Sequence, residues 1–323
     1  MSGLVRVAVI QAAPVMLDRA ATAAKVCRLI EEAAAQGARL ALFPEALIPA
    51  YPRGLSFGTV VGSRTEAGRR AYARYWDESV EIPGPVTMAI GEAAARAGMY
   101  VCIGVIERDN LFRGGTLYCT LLYFGPDGRL LGKHRKLKPT AAERIIWGEG
   151  DGSTLTAIKT EFGTLGGLIC WENYMPLARM AMYSKGVDLY LAPTADARDS
   201  WQATIRHIAC EGRCFVLSAN QFVTREMMPA DWETFTDGPE NILSRGGSAI
   251  IGPLGQYLAG PLYDEEGILL AELELDLITQ ARFDFDPVGH YSRPDVFRLI
   301  VNEAPQPAVE TQQTEIEEQE VGR

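Results

Sequence analysis

Val5-Arg6-Val7-Ala8-Val9-Ile10, then Arg19 to Gln36, then Leu40-Ala41-Leu42-Phe43 read as a strand, a helix and a second strand. The two outer runs are short and continuously apolar, as buried strands are. The middle segment is alanine-rich, carries Glu31-Glu32 and stops before Gly37, a residue suited to closing a helix. The alternation continues along the chain. Thr87–Ala97 reads as another Ala-rich helix stopped by Gly98, and Tyr100–Ile106 and Leu117–Phe124 as strands. Gly125-Pro126-Asp127-Gly128 then turns the chain into Arg129–Lys133, a hairpin signature. Leu165–Ile169, Val187–Ala192, Cys214–Ala219 and Ser248–Ile251 add short apolar strands, with helices at Pro176–Ser184 and Trp201–Glu211. Gly252-Pro253-Leu254-Gly255 marks a second tight turn. The pattern predicts an α/β domain whose sheet surfaces are covered by helices.

No internal repeat or linker divides the chain. Leu55–Glu81 and Thr224–Arg245 stand apart as irregular, polar and aromatic segments, expected to be surface insertions with lid or assembly roles. Residues 1–303 are read as one catalytic domain. Residues 304–323 are read as an acidic, mobile tail, because Glu310, Glu315, Glu317, Glu318 and Glu320 fall there among few apolar residues.

At 323 residues the chain is long enough for a sizeable core. Lys plus Arg number 31 and Asp plus Glu 41, for a formal net charge of −10. That balance argues against nucleic acid and anionic membrane as partners, since both call for a basic surface. No stretch approaches the roughly 20 apolar residues of a membrane span. Residues 1–10 lack a signal-peptide layout, so the six scattered cysteines are expected to be free thiols in a reducing cytoplasm.

Three segments place a reactive side chain just beyond an apolar run: Phe43-Pro44-Glu45, His134 to Pro139, and Leu168-Ile169-Cys170-Trp171-Glu172-Asn173. In layered α/β folds reacting groups converge at strand ends. A buried cysteine is most often a small core hydrophobe. Cys170 stands out because Gly166-Gly167 permits close backbone approach and Trp171-Glu172-Asn173 turns the chain at once. Amides at such an elbow are expected to lower its pKa from about 8.5 and to hold a developing negative charge. Lys136 belongs to a basic cluster and ranks only just above Lys138 for the pocket, on the inward turn that Leu137 and Pro139 suggest. Glu45 is costly to bury unpaired, and pairing with Lys136 and Cys170 resolves that cost. Carboxylate, ammonium and thiol together supply a base, an electrophilic stabiliser and a nucleophile.

These segments resemble the nitrilase (carbon–nitrogen hydrolase) superfamily, specifically its true nitrilase branch, arylaliphatic and plant-type forms included. The resemblance covers about residues 4–303. It rests on Cys170-Trp171-Glu172, the run Lys133 to Thr140 with Glu143-Arg144 and Trp147-Gly148, Gly150 to Ser153, and Gly289 to Val296. Leu117 to Thr120 and Gly246-Gly247-Ser248 add to it. It implies a four-layer α-β-β-α sandwich in a single domain. It also implies a Glu45–Lys136–Cys170 triad, with Glu143 orienting Lys136. Glu45 is the implied general base and Cys170 the nucleophile of a thioimidate and thioester pathway. Lys136, helped by the Trp171 N–H, is the implied stabiliser of the tetrahedral centres. By the same carry-over Tyr51, Trp147, Trp171, Tyr174 and Trp201 line the substrate pocket, whose aromatics favour an aryl or arylalkyl group.

The expected function is therefore hydrolysis of a small-molecule nitrile to acid and ammonia, by a homo-oligomer larger than a dimer, with no cofactor. No metal is expected either: Cys210, Cys214 and His207 have helical spacing but no further ligand pair nearby. An amidase or carbamoylase using the same triad is the nearest alternative. A catalytically silent, filament-forming assembly protein is the alternative from another class.

Overall fold

The computed structural model describes residues 3–109, 114–231 and 241–309. Strand β1 (Leu4–Gln11) leads to helix α1 (Arg19–Ala35), which starts where the Asp18 side chain accepts the Ala21 N–H at 2.8 Å. Strand β2 (Leu40–Leu42) follows, then a two-stranded ribbon of β3 (Thr59–Val60) and β4 (Ser63–Arg64) and helices α2 (Glu66–Glu78) and α3 (Pro85–Ala97). Strands β5 (Tyr100–Arg108), β6 (Leu117–Phe124) and β7 (Leu130–Arg135) close the first half. The second half holds β8 (Ala157–Thr160), β9 (Gly163–Gly167), α4 (Pro176–Ser184), β10 (Leu189–Leu191) and α5 (Asp199–Gly212). It ends with β11 (Phe215–Ser218), β12 (Phe222–Thr224), β13 (Ile242–Ile251), β14 (Tyr257–Tyr263), β15 (Gly267–Glu274) and α6 (Asp276–Ala281).

Two large sheets result. The first has the order β15-β1-β2-β5-β6-β7, and the second β12-β13-β11-β10-β9-β8 with β14 paired to β13. At the centre of the first, β1, β2 and β5 run parallel, with Val9 opposite Leu42 and Leu42 opposite Cys102. At the centre of the second, β9, β10 and β11 are parallel, with Leu191 opposite both Gly167 and Leu217.

Strand alternation sorts the apolar side chains into three cores. Val5, Val7 and Val9 of β1 join Leu165, Leu189, Leu217 and Ile250 in a core between the sheets. Ala8 and Ile10, pointing the other way, pack with Val26 and Ile30 of α1 and Ile90 of α3. Tyr190, Val216 and Ile251 pack with Met182 of α4 and Ile205 and Ile208 of α5. Three apolar layers between helix, sheet, sheet and helix make the expected α-β-β-α sandwich. Among the described residues no helix is long and apolar enough to cross a membrane.

The segment Leu55–Glu81, expected to be irregular, holds α2. Its helix is mostly polar, and of its residues only Gly68 and Tyr75 are buried, so the apolar stripe is too thin to read. In Thr224–Arg245 residues 232–240 lie outside the described residues, and the end of the segment is already β13. Of the expected tail, 310–323 lie outside the described residues. Before them, Lys185 pairs with Glu303 at 2.6 Å and the Gln306 N–H donates to Asp151 at 2.7 Å.

Candidate active site

Both sheets deliver their strand ends to one place. Beyond β9, the Leu168 and Cys170 N–H groups donate to Leu191 and Pro193 carbonyls, at 3.2 and 2.8 Å. Only glycine fits at 167, where a Cβ would stand 1.9 Å from the Leu191 carbonyl oxygen. The chain then turns sharply: Cys170 itself takes φ 52°, and Cys170–Tyr174 form a 3-10 turn. A left-handed non-glycine residue costs about 1–3 kcal/mol, which the surroundings must offset. Asn173 Nδ2 does part of this by donating to the Leu168 and Cys170 carbonyls at 2.9 and 2.8 Å.

Glu45 follows β2. The Phe43 N–H and the Pro44 carbonyl continue the pairing to Cys102 and Gly104 of β5, and Gln221 Nε2 donates to the Glu45 carbonyl at 2.8 Å. Lys136 follows β7, fixed through its own N–H to Cys119 and its carbonyl to Gly150, each at 2.8 Å. Its ammonium donates to Glu45 Oε1 at 2.7 Å and to Glu143 Oε2 at 2.8 Å. Glu143 is held in turn by the Tyr51 hydroxyl at 2.7 Å and the Thr140 N–H at 2.6 Å. The structure thus brings together Glu45, Lys136, Glu143 and Cys170, all buried.

Burial raises the Glu45 carboxyl above its ordinary value, and Lys136 pulls it back without cancelling the rise. Burial works to discharge Lys136, but Glu45, Cys170 and Glu143 hold its pKa well above the usual lysine value. Burial, then Glu45, pushes the Cys170 thiol up, against Lys136. The elbow was expected to lower that pKa; desolvation and the neighbouring carboxylate win instead. Cys170 therefore rests as a thiol and needs a base. Glu45 Oε2 is buried with no hydrogen-bond partner among the described residues.

A cavity of about 600 Å³ opens onto Cys170 and Glu143, walled by Tyr51, Trp171, Arg198 and Arg245 among others. Tyr51 and Trp171 are thus among its walls. Trp147 stands behind the site, edge-on to Tyr51 at 5.7 Å and with its ring centroid 5.8 Å from Lys136 Nζ. Two expectations are corrected. Trp201 is wholly buried on the core face of α5, donating to Ser218 Oγ at 2.9 Å. Tyr174 lies on the outer surface beyond Trp171, its hydroxyl accepting from Thr204 at 3.1 Å. Neither lines the cavity: Tyr174 ends the turn that carries the chain away after Trp171, and Trp201 shares the buried stripe of α5 with Ile205 and Ile208.

Sequence reasoning missed several neighbours. Thr194 Oγ1 lies 3.1 Å from Cys170 Sγ, Cys119 Sγ lies 3.6 Å from Glu45 Oε1, and Asp196 accepts the Trp171 indole N–H at 2.8 Å. Thr194 and Asp196 follow another strand, β10, and carry no local motif, while Cys119 lies within β6, in a run quoted only for its family likeness. His134 and Glu172, quoted only as parts of motifs, form a buried pair at 3.0 Å.

A sandwich with a buried thiol on a cavity, and a carboxylate of raised pKa paired to a fixed ammonium behind it, fits a hydrolase of the cysteine-nucleophile type. Comparison with known proteins places it more closely. Residues 6–283 match the carbon–nitrogen hydrolase family model. An aliphatic nitrilase of Sinorhizobium fredii (strain HH103) is 57% identical over 307 residues, spanning 95% of this chain and 98% of that one. A bifunctional nitrilase/nitrile hydratase of Lupinus angustifolius is 50% identical over 307 residues, spanning 93% and 87%. The crystal structure of a carbon–nitrogen hydrolase from Helicobacter pylori G27 superposes with a TM-score of 0.70 at 20% identity, covering 91% of this chain and 97% of that one. The chain belongs to the carbon–nitrogen hydrolase family, in the nitrilase branch of that superfamily, and is an enzyme.

Proposed function

We propose that this enzyme hydrolyses a nitrile to a carboxylic acid and ammonia through Cys170. The observation that carries the reading is a buried thiol that opens onto the cavity beside Glu143, with the Lys136 ammonium directly behind, bonded to both Glu143 and Glu45. The names of the 57% and 50% identical relatives, nitrilases both, support the substrate class.

Glu45 takes the Cys170 proton as sulfur bonds to the nitrile carbon. One C–N electron pair moves to nitrogen, which takes the proton back, leaving a thioimidate. Water then adds to that carbon, giving its proton to Glu45. That proton passes from Glu45 to the nitrogen, the new hydroxyl's proton follows it through Glu45, ammonia leaves, and the carbon–oxygen bond closes to a thioester. A second water, deprotonated in the same way, releases the acid and returns the thiol. Lys136, held by Glu45 and Glu143, and the Trp171 N–H face the charge that develops in each tetrahedral centre. If carbon–sulfur cleavage precedes loss of ammonia, amide is released instead, an outcome for which the lupin relative's name is a precedent. Tyr51 and Trp171 contact the substituent; Trp147 acts by backing Tyr51 and Lys136.

Residues 1–303 act as one catalytic unit in this reading, in the cytoplasm and as a homo-oligomer. Six free thiols support the compartment. Exposed Phe283, Phe297 and Ile300 on the arm after α6 support self-association. Light scattering that finds only monomer at micromolar concentration would refute the last point.

The test of the activity is a nitrile panel with matching amides, in which acid, amide and ammonia are quantified. Acid and ammonia from nitriles are expected. Turnover of amides with none of nitriles would replace this reading with an amidase.

A further inference from the structure

We infer that Thr194 is a catalytic residue whose hydroxyl donates a hydrogen bond to Cys170 Sγ and stabilises the thiolate as Glu45 removes its proton. The inference rests on Cys170 being the nucleophile.

Thr194 Oγ1 lies 3.1 Å from Sγ, within hydrogen-bond range for sulfur, and both residues are buried. A hydroxyl has one proton, and its direction follows from what the oxygen already accepts. Here the Asp196 N–H donates to Thr194 Oγ1 at 2.9 Å. That uses one of the oxygen's two lone pairs, and among the described residues Cys170 Sγ is the acceptor placed to take the hydroxyl proton.

The arrangement is braced rather than incidental. The Thr194 N–H is fixed to the Ala219 carbonyl at 2.9 Å. Asp196 is held through its carbonyl by Asn220 Nδ2 at 2.9 Å, and through its carboxylate by the Trp171 indole N–H and the Arg198 guanidinium. The side chain that follows the nucleophile thus helps fix the group that orients the nucleophile's donor. The donor acts against the burial and the Glu45 charge that raise the thiol.

A hydrogen bond from a neutral donor to an ionised sulfur strengthens as charge forms, so it favours deprotonation over the resting thiol. The same donor favours sulfur as leaving group when the thioester breaks, because charge returns to Sγ there.

The test uses Thr194→Val, which keeps shape and removes the hydroxyl, beside Thr194→Ser, which keeps the hydroxyl and removes the methyl. Carboxamidomethylation of Cys170 by iodoacetamide is followed against pH by peptide mass spectrometry, independently of any nitrile. For Thr194→Val the alkylation midpoint is expected to rise by half a pH unit or more, and kcat/KM on the best nitrile to fall about tenfold. Thr194→Ser is expected to stay within about threefold of wild type with an unmoved midpoint. If Thr194→Val does not fold, Thr194→Ala gives the same readings, with the same shift expected. A Val or Ala variant with the wild-type midpoint and turnover overturns the inference, as does a Ser variant as impaired as either. Loss of the nucleophile reading has a different signature: Cys170→Ala would then keep nitrile turnover.

Discussion

Glu172 and His134 meet 3.0 Å apart with both side chains wholly out of solvent. His134 Nδ1 faces the Thr154 carbonyl at 2.9 Å and Nε2 faces the Glu172 carboxyl at 3.0 Å, a geometry that favours a proton on each ring nitrogen. Burial opposes that charge, yet Glu172 raises the His134 pKa overall. The same carboxylate accepts the N–H of Ile169, just before Cys170, at 2.7 Å and that of Leu137, just after Lys136, at 2.6 Å. One carboxylate therefore ties the Lys136 strand end to the Cys170 elbow, across the two sheets.

Breaking this tie should cost both stability and rate. Glu172→Ala leaves a buried imidazolium without its partner, a loss of about 3–5 kcal/mol. Chemical denaturation of the purified variant measures it. A loss below 1 kcal/mol would mean that the pair is not ionised.

The pair also sets a pH dependence. A histidine whose folded pKa is raised stabilises fully below its unfolded value, near 6.5, and loses that stabilisation as pH rises through the folded value. The melting temperature of wild type minus that of His134→Gln should therefore be largest below pH 6.5 and shrink on the alkaline side. A difference that grows with pH would contradict the assignment.

The acid limb of kcat/KM reports Glu45. Because burial, opposed by Lys136, holds its carboxyl above the ordinary 4.5, activity should fall on acidification at a midpoint above that value. Glu45→Gln should remove turnover. An acid limb centred below 4.5 would assign the base elsewhere.

Lys136→Ala should lower kcat by at least about 10²–10³, the usual effect of deleting one stabiliser of a tetrahedral anion. Steady-state rates on a nitrile measure this. A loss confined to KM would show that Lys136 binds substrate without stabilising the transition state.

Gly104 of β5 is a point where the fold meets the site. A Cβ there would lie 2.4 Å from the Pro44 carbonyl oxygen and 2.6 Å from Glu45 Cα, all of it backbone that cannot step aside cheaply. Gly104→Ala should cost about 1–3 kcal/mol as overpacking, and should also displace Glu45, lowering kcat at least tenfold. An alanine variant with wild-type kcat would mean that Glu45 tolerates movement.

The parts of this account legible in the sequence are the local ones. Leu40–Leu42 and Leu165–Gly167 are apolar because both faces of their sheets are covered, so runs rather than alternation reveal them. Cys170 and Glu45 are legible because they directly follow such runs. Strands β14 and β15 went unread because they are half-covered, with few fully buried residues to mark them. Thr194 was invisible for another reason: it reaches Cys170 only through the parallel pairing of β9 with β10, 24 positions further along the chain. Trp201 shows the opposite error, an aromatic assigned to the pocket that the helical stripe Trp201, Ile205, Ile208 consigns to the core.

The most direct measurement is acid-quench trapping during nitrile turnover, followed by peptide mass spectrometry. An adduct carrying the acyl or imidoyl part of the substrate is expected on Cys170, and neither adduct nor turnover is expected from Cys170→Ala. Full turnover by that variant, or an adduct on another residue with Cys170 unmodified, would contradict the account.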